Sequence, residues 1–241
     1  MKDLNYHYTY KAGSDIIFQF PTGYKLKFKD VFQNCNFGDK IAVLNMHLYF
    51  SKLHKFENYR LSIKDVNNSE DLHLASIFFK DRLSVYEPTY LTTITSPEIQ
   101  TDDIFTEIYK NQYTVLDIFR DVDKNLITYS FDCNSYVDTK IPNYIDRLIP
   151  ELVSRYNMLK FVEVGKKLGV QCSLDQILRS RLSINLDNGI AHLCRCTQTH
   201  QLLIEHMHAC DRGHPVEYYD NCRVCKNMDD IIDAIGSIYN I

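Results

Sequence analysis

Cysteine and histidine side chains concentrate in one stretch near the end of the chain. Five of the eight cysteines and five of the nine histidines lie between His192 and Cys225. Thiolate and imidazole groups are the ligands that zinc prefers, usually four of them in a tetrahedral arrangement. The sequence therefore predicts a zinc-binding module at about residues 192–226.

The spacing of these residues favours one set of ligands. Cys222 and Cys225 are separated by two residues, a spacing at which a tight turn can direct both sulfurs at one ion. Cys210 and His214 lie close upstream and complete a site of three cysteines and one histidine. A second site, or alternative ligands for the first, is offered by Cys194, Cys196, His200, His206 and His208.

A zinc site rich in thiolates is typically closed and structural. A catalytic zinc ion needs an open coordination position and a nearby general base, and Glu205 and Glu217 are the candidates by position. The sequence contains neither the His-Glu-x-x-His motif nor the signature of zinc-dependent base deaminases. We therefore expect a structural zinc ion in a non-enzymatic protein, and a metal-dependent hydrolase ranks as the third hypothesis.

The composition is that of an ordinary globular protein, with 45% hydrophobic and 24% charged residues in 241. No apolar run approaches the roughly 18 to 20 residues that cross a bilayer. The N-terminal segment also lacks the apolar core of a signal peptide. We therefore expect a cytoplasmic or nuclear protein without a membrane partner, in a compartment where cysteine clusters bind metal more often than they form disulfides.

The net charge of −4 does not favour tight, sequence-independent binding to nucleic acid. A local positive patch would reverse that expectation, and it would make a zinc-dependent nucleic-acid-binding or transcription regulatory protein, for example a viral one, the alternative function. The candidate residues for such a patch are Arg179, Arg181, Arg195 and Arg212.

Hydrophobic periodicity divides the chain into two halves. Residues 14–20 are apolar and β-prone, residues 24–28 alternate, and the Pro-Thr-Gly sequence between them predicts a hairpin. From Asp71 the apolar residues recur at helical steps. Helices are also predicted for residues 114–126, 161–168 and 190–210. The pattern indicates an α+β protein, with a β-rich and helical domain over residues 1–130 and a mostly helical, zinc-stabilised domain over residues 131–241.

Part of the first half resembles the BTB/POZ domain. Ser14-Asp-Ile-Ile-Phe-Gln-Phe, followed by the segment from Gly23 to Phe37, is similar to the opening hairpin and first helix of that family. Residues 59–65 are similar to its next strand, and residues 103–127 to its closing pair of helices. The chain departs from the family where Phe28 replaces a common histidine, and where residues 38–58 exceed the usual link.

The resemblance implies a domain that self-associates and recruits a protein partner. It also implies that Asp15 and Lys29 correspond to the charged pair in the family's dimer groove. Partly buried opposite charges at an interface need one another, because a lone charge there is costly. We therefore expect a homo-oligomeric interaction protein, one form of which is an adaptor that brings a target to a ubiquitin ligase.

Overall fold

The computed structural model divides the chain into two compact units, Met1–Leu116 and Asp117–Ile241. The boundary expected from the sequence, after residue 130, falls at the end of a strand of the second unit. The residues that the structure describes are 7–11, 15–19, 25–26, 37–38, 40–41, 44, 61–62, 69–79, 83–84, 91–94, 118–132, 141–205 and 221–241.

The described part of the first unit contains an antiparallel sheet in the order β3-β2-β1-β6 and a parallel pair, β4 and β5. The pairing of β2 with β3, which sets Phe18 opposite Leu26, confirms the predicted hairpin. Its elements are β1 (His7–Lys11), β2 (Asp15–Gln19), β3 (Lys25–Leu26), β4 (Leu61–Ser62), α1 (Ser69–Phe79), β5 (Leu83–Ser84) and β6 (Leu91–Ile94).

Helix α1 confirms the helical pattern predicted from Asp71. Its buried side chains, Leu74, Ala75, Ile77 and Phe78, fall on one side at helical spacing. Asp71 in its first turn accepts two hydrogen bonds from Lys40 Nζ, each 2.8 Å long, and both side chains are less than 15% exposed (13% and 14%). This partly buried ion pair links α1 to another helical segment of the unit.

The second unit alternates strands with helices around a parallel sheet. Among the described residues the sheet has five strands in the order β11-β10-β9-β7-β8, which is the 2-1-3-4-5 order of a doubly wound α/β fold. Its elements are β7 (Asp123–Ser130), α2 (Ile145–Arg155), β8 (Lys160–Glu163), α3 (Val170–Arg179), β9 (Ser180–Asn185), α4 (Gly189–Cys196), β10 (His200–Ile204), β11 (Cys222–Cys225) and α5 (Met228–Tyr239).

Three of the helices predicted from the sequence are wrong in whole or in part, and the second half contains a parallel sheet as well as helices. Residues 161–168 hold most of β8 and a loop, and β10 lies in the second part of the predicted helix 190–210. In the predicted helix 114–126, residues 118–122 are irregular and β7 begins at Asp123. The apolar residues of these segments recur at steps that suit a helix as well as a short strand, so periodicity did not separate the two.

One face of the parallel sheet is apolar and carries the core of the second unit. The strands contribute Ile127, Leu182, Ile184, Leu202 and Ile204, which are all buried. Helices α2 and α5 cover this face, with buried residues that include Leu148, Leu152, Ile231 and Ile235. No helix in the described ranges is long and apolar enough to cross a membrane.

Hydrogen bonds of Arg120 connect the start of the second unit to its sheet. Its guanidinium group donates to the backbone carbonyl oxygens of Leu178 (3.2 Å), Ser180 (2.8 Å) and Gln198 (3.1 Å). These carbonyls belong to the end of α3, the start of β9 and the turn before β10. One side chain therefore ties three separate segments to the beginning of the unit.

Replacing Arg120 with alanine should destabilise the second unit, because three carbonyl groups lose a charged donor. We expect a loss of about 2–3 kcal/mol of unfolding free energy in urea, with faster hydrogen exchange in β9. Arg179→Ala is the matched control, since Arg179 is exposed, and it should change stability by less than about 0.5 kcal/mol. Equal effects of the two substitutions would contradict the proposed anchoring.

Candidate functional site at the carboxyl edge of the parallel sheet

The second face of the parallel sheet carries a buried row of polar side chains. Thr128, Ser183, Gln201 and Cys222 are successive register partners on β7, β9, β10 and β11, so their side chains form one row across the sheet. Thr128 and Ser183 are fully buried and Gln201 is 1% exposed. Buried parallel strands are usually apolar on both faces, which makes this row a candidate functional feature.

Hydrogen bonds between side chains join this polar row to α4. Thr128 Oγ1 lies 3.2 Å from Ser180 Oγ and 3.0 Å from Ser183 Oγ. Asn185 Nδ2 donates to Ser183 Oγ at 3.0 Å and to Cys194 Sγ at 3.6 Å. Because Cys194 belongs to α4, the network holds that helix against the sheet with partners for otherwise buried polar groups.

The carboxyl ends of β7 and β9 form the switch point of the sheet. The chain leaves β7 for β8 on one side and leaves β9 for β10 on the other, and doubly wound sheets bind ligands in the crevice where such connections diverge. The residues at this point are Ser130, Asp132 and Asn188. They determine what the second unit can bind there.

Asn188 spans this crevice with its side-chain amide. Its Nδ2 lies 3.2 Å from Ser130 O, 3.1 Å from Ser130 Oγ and 3.1 Å from Asp132 O. Its Oδ1 accepts hydrogen bonds from the backbone N–H groups of Ile190 (3.0 Å) and Ala191 (3.2 Å) at the start of α4. Asn188 therefore caps α4 and, with the same side chain, connects that helix to the end of β7.

The loop after β8 packs close to the same point. Gly165 has a φ of +134°, which favours glycine, and a Cβ atom there would lie 3.4 Å from Ser130 Oγ. Its backbone N–H donates to Ser173 Oγ of α3 at 3.0 Å. The switch point is thus surrounded by residues of β7, the loop after β8 and the loop after β9.

The two leading zinc ligands on β11 lie on opposite faces of the sheet. Cys222 is the register partner of Gln201 and belongs to the polar row, whereas Cys225 is fully buried in the apolar cluster beside α5. Side chains three residues apart in a strand point in opposite directions, and their α-carbons are about 10 Å apart. The strand therefore does not bring the two sulfurs to one ion.

The other expected ligands are only partly within the described residues. Cys194 and Cys196 are buried in α4, and His200 is exposed at the start of β10. Within the described ranges, no three histidine, cysteine, aspartate or glutamate residues are grouped so that they could hold a metal ion. The expected ligands that lie outside the described residues are Cys210, His214, His206 and His208.

The remaining expected site residues are placed as follows. Asp15 is the first residue of β2, and Lys29 lies outside the described residues. Arg195 is 4% exposed, and Arg181 donates to Ile238 O at 2.6 Å while its guanidinium carbon lies 4.8 Å from the ring centre of Tyr239. Arg179 is exposed and Arg212 lies outside the described residues, so the described arginines are not gathered on one exposed face.

Burial raises the pKa of three of the described thiols. It raises the pKa of Cys194 to about 11, of Cys222 to about 12 and of Cys225 to about 11. Near Cys222 the guanidinium charge of Arg195 acts in the opposite direction but does not offset burial. Since the thiolate is the metal ligand and the nucleophile, these three groups are protonated and weakly reactive at neutral pH.

Sequence reasoning overlooked Ser130, Asn185, Asn188 and Gln201. Asn188 had a recognisable signal, because an asparagine ahead of an apolar helical run is a typical N-cap. Its second role depends on Ser130, 58 residues earlier, and nothing local indicates that contact. Gln201 carries no signal at all, and within the described part of the chain neither of its buried amide atoms has a hydrogen-bond partner.

Comparison of the chain with protein-family models, curated proteins and solved structures finds no match.

Asn188→Asp separates the two roles of this side chain. Aspartate is as good an N-cap as asparagine, but its carboxylate would face the carbonyl oxygens of Ser130 and Asp132 without a proton to donate. We expect a loss of about 1–3 kcal/mol of unfolding free energy at pH 7. In the matched Asp187→Asn variant, which changes charge next to the site, we expect a smaller effect; an equal or larger one would contradict the bridging role.

Cys222→Ser and Cys225→Ser should behave differently. A serine hydroxyl at position 225 would lie in the apolar cluster, so we expect Cys225→Ser to cost about 1–3 kcal/mol and to leave zinc content per chain unchanged. Cys222→Ser is the variant expected to lower zinc content, and any loss of stability it causes should disappear when wild type and variant are compared without zinc. Urea unfolding and elemental analysis measure both effects, and a shared zinc site would instead show the same loss of zinc in both variants.

Proposed function

We propose that the chain is a non-enzymatic adaptor that binds other proteins, with a self-associating first unit and a second unit that acts as a rigid scaffold. The observation that carries this proposal is the position of Asn188. In a doubly wound sheet the crevice between β7 and β9 is the usual ligand site. Here the side-chain amide of Asn188 makes hydrogen bonds to Ser130 and Asp132, and in this proposal it fills that crevice.

The pattern that resembles a BTB/POZ domain supports the first half of this proposal. The segments read as its opening hairpin are β2 and β3, which pair antiparallel, and β4 lies within residues 59–65. Asp15 begins β2 opposite Lys11 of β1, at the end of the hairpin ladder. In this proposal Asp15 and Lys29 form the charged pair of a dimer groove, and the recruited partner is a protein such as a ubiquitin-ligase component.

Zinc has a structural role in the proposal, since it would stabilise the region between β10 and β11. Cys222, Cys210 and His214 are the ligands we favour, with a fourth from the nearby histidines. Cys225 is left out because it packs in the apolar core. The high pKa of Cys222 means that zinc would have to displace the thiol proton, so that binding should weaken as the pH falls.

Charge reversal tests the self-association. Asp15→Lys and Lys29→Asp each place like charges at the proposed interface, and each should shift the full chain from oligomer to monomer in size-exclusion chromatography with light scattering. The double variant Asp15→Lys/Lys29→Asp restores opposite charges and should recover at least part of the oligomer. Lys166→Asp, an exposed change in the second unit, is the control.

A wild-type chain that stays monomeric at concentrations of tens of micromolar would overturn the self-association. An oligomer that both single variants leave intact would show that these two residues do not form its interface.

A further inference from the structure

The outer edge of the parallel sheet is formed by β8. In the described part of the chain it is the last strand of the sheet, with β7 as its neighbour. Its two central residues, Phe161 and Val162, are half-buried, while Lys160 and Glu163 are exposed at its ends. An edge strand presents backbone groups that can pair with another extended segment.

The register of β8 shows which backbone groups point outward. The Val164 N–H donates to Tyr129 O of β7 at 2.9 Å, so Val164, Val162 and Lys160 direct their backbone groups toward β7. Because successive residues of a strand alternate, the N–H and C=O groups of Phe161 and Glu163 point away from the sheet. Two residues therefore offer pairing positions to an added strand.

Positive charge surrounds this edge. Arg155, Lys160, Lys166 and Lys167 are all exposed within residues 155–168, against the single acidic side chain of Glu163. Lys160 and Lys167 make only surface ion pairs, with Asp123 at 3.2 Å and with Glu163 at 3.8 Å. Such pairs contribute little and exchange readily with an incoming carboxylate. The local charge contrasts with the net charge of −4 of the whole chain.

Exposed apolar side chains precede and follow β8 in the sequence. Met158, two residues before β8, is 60% exposed, and Leu168, in the loop that follows, is 40% exposed. Lysines on an edge strand discourage pairing with apolar strands, but they favour an acidic one. The strand thus combines outward backbone groups with basic side chains and with exposed apolar side chains near it in the sequence.

We propose that β8 is a docking edge that takes up an extended, acidic segment of a partner protein by strand addition. The added strand would pair with the outward backbone groups of Phe161 and Glu163, and its carboxylates would contact Lys160, Lys166 and Lys167. This proposal rests on the proposed function as an interaction protein and names one partner surface. It involves the second unit, so the charge-reversal test of the first unit can fail while this one succeeds.

The test uses the full chain and a fluorescein-labelled peptide of eight alternating valine and glutamate residues, followed by fluorescence polarisation. We expect this peptide to bind at least tenfold more tightly than one of alternating valine and lysine. In wild-type protein, peptide addition should slow hydrogen exchange at the Phe161 and Glu163 amides. The Val162 amide, already paired with β7, should not change.

A matched pair of variants separates strand addition from simple charge attraction. Glu163→Ala and Glu163→Pro remove the same acidic side chain, but only proline removes the outward N–H, at an edge position where proline is tolerated. We expect Glu163→Ala to bind the acidic peptide at least as well as wild type, and Glu163→Pro to bind at least tenfold less tightly than Glu163→Ala.

Equal binding by the two variants, with no protection of Phe161 and Glu163, would overturn the proposal and leave non-specific charge attraction. A single-stranded DNA that binds as tightly as the acidic peptide would also overturn it, in favour of nucleic acid as the partner. A wild-type dimer that Glu163→Pro abolishes would instead identify a second copy as the occupant and contradict an acidic partner.

Discussion

The hydrogen bonds of Asn188 hold together the centre of the second unit. Its amide joins the end of β7 to the start of α4, and α4 in turn lies against the polar row of the sheet through Cys194 and Asn185. An amide with two hydrogens and one oxygen is well suited to this junction, because it donates across the crevice and caps the helix at once. The connection between β7 and α4 therefore depends on this one side chain.

The two faces of the sheet stabilise the unit in different ways. The apolar face contributes burial of Ile127, Leu182 and Leu202 against α2 and α5, which is the ordinary driving force of folding. The polar face contributes hydrogen bonds whose donors and acceptors are both buried. The loss of one partner therefore leaves the other buried without a hydrogen bond. Cys194 lies on the polar side and Cys225 on the apolar side, and burial raises the pKa of both thiols to about 11.

Elements with local signals were predictable from the sequence. The hairpin β2–β3 has the sequence Pro-Thr-Gly between its two strands, and α1 has helical spacing. Helix α5 is preceded by its N-cap residue Asn227, whose side chain accepts from the Asp230 N–H at 2.9 Å. The strands of the parallel sheet lack such signals, since Thr128 and Ser183 are partners across 55 residues. Polar residues on the second face also break the continuous apolar pattern that marks a buried parallel strand.

The candidate site was predictable only in part, for a related reason. The two-residue spacing of Cys222 and Cys225 suits a tight turn, but these residues form a strand, and a strand directs their side chains to opposite faces. The switch point was not predictable, because it exists only once β7 and β9 lie side by side. Residues that meet through parallel pairing leave little trace in the neighbouring sequence.

NMR of the Asn188 side-chain amide tests most directly whether this residue closes the crevice between β7 and β9. We predict that the Nδ2 protons of Asn188 exchange slowly with solvent, and that millimolar nucleotides leave the signals of Ser130, Asp187 and Asn188 unchanged. Fast exchange of those protons, together with shifts of all three residues on nucleotide addition, would contradict the account and identify an open ligand site.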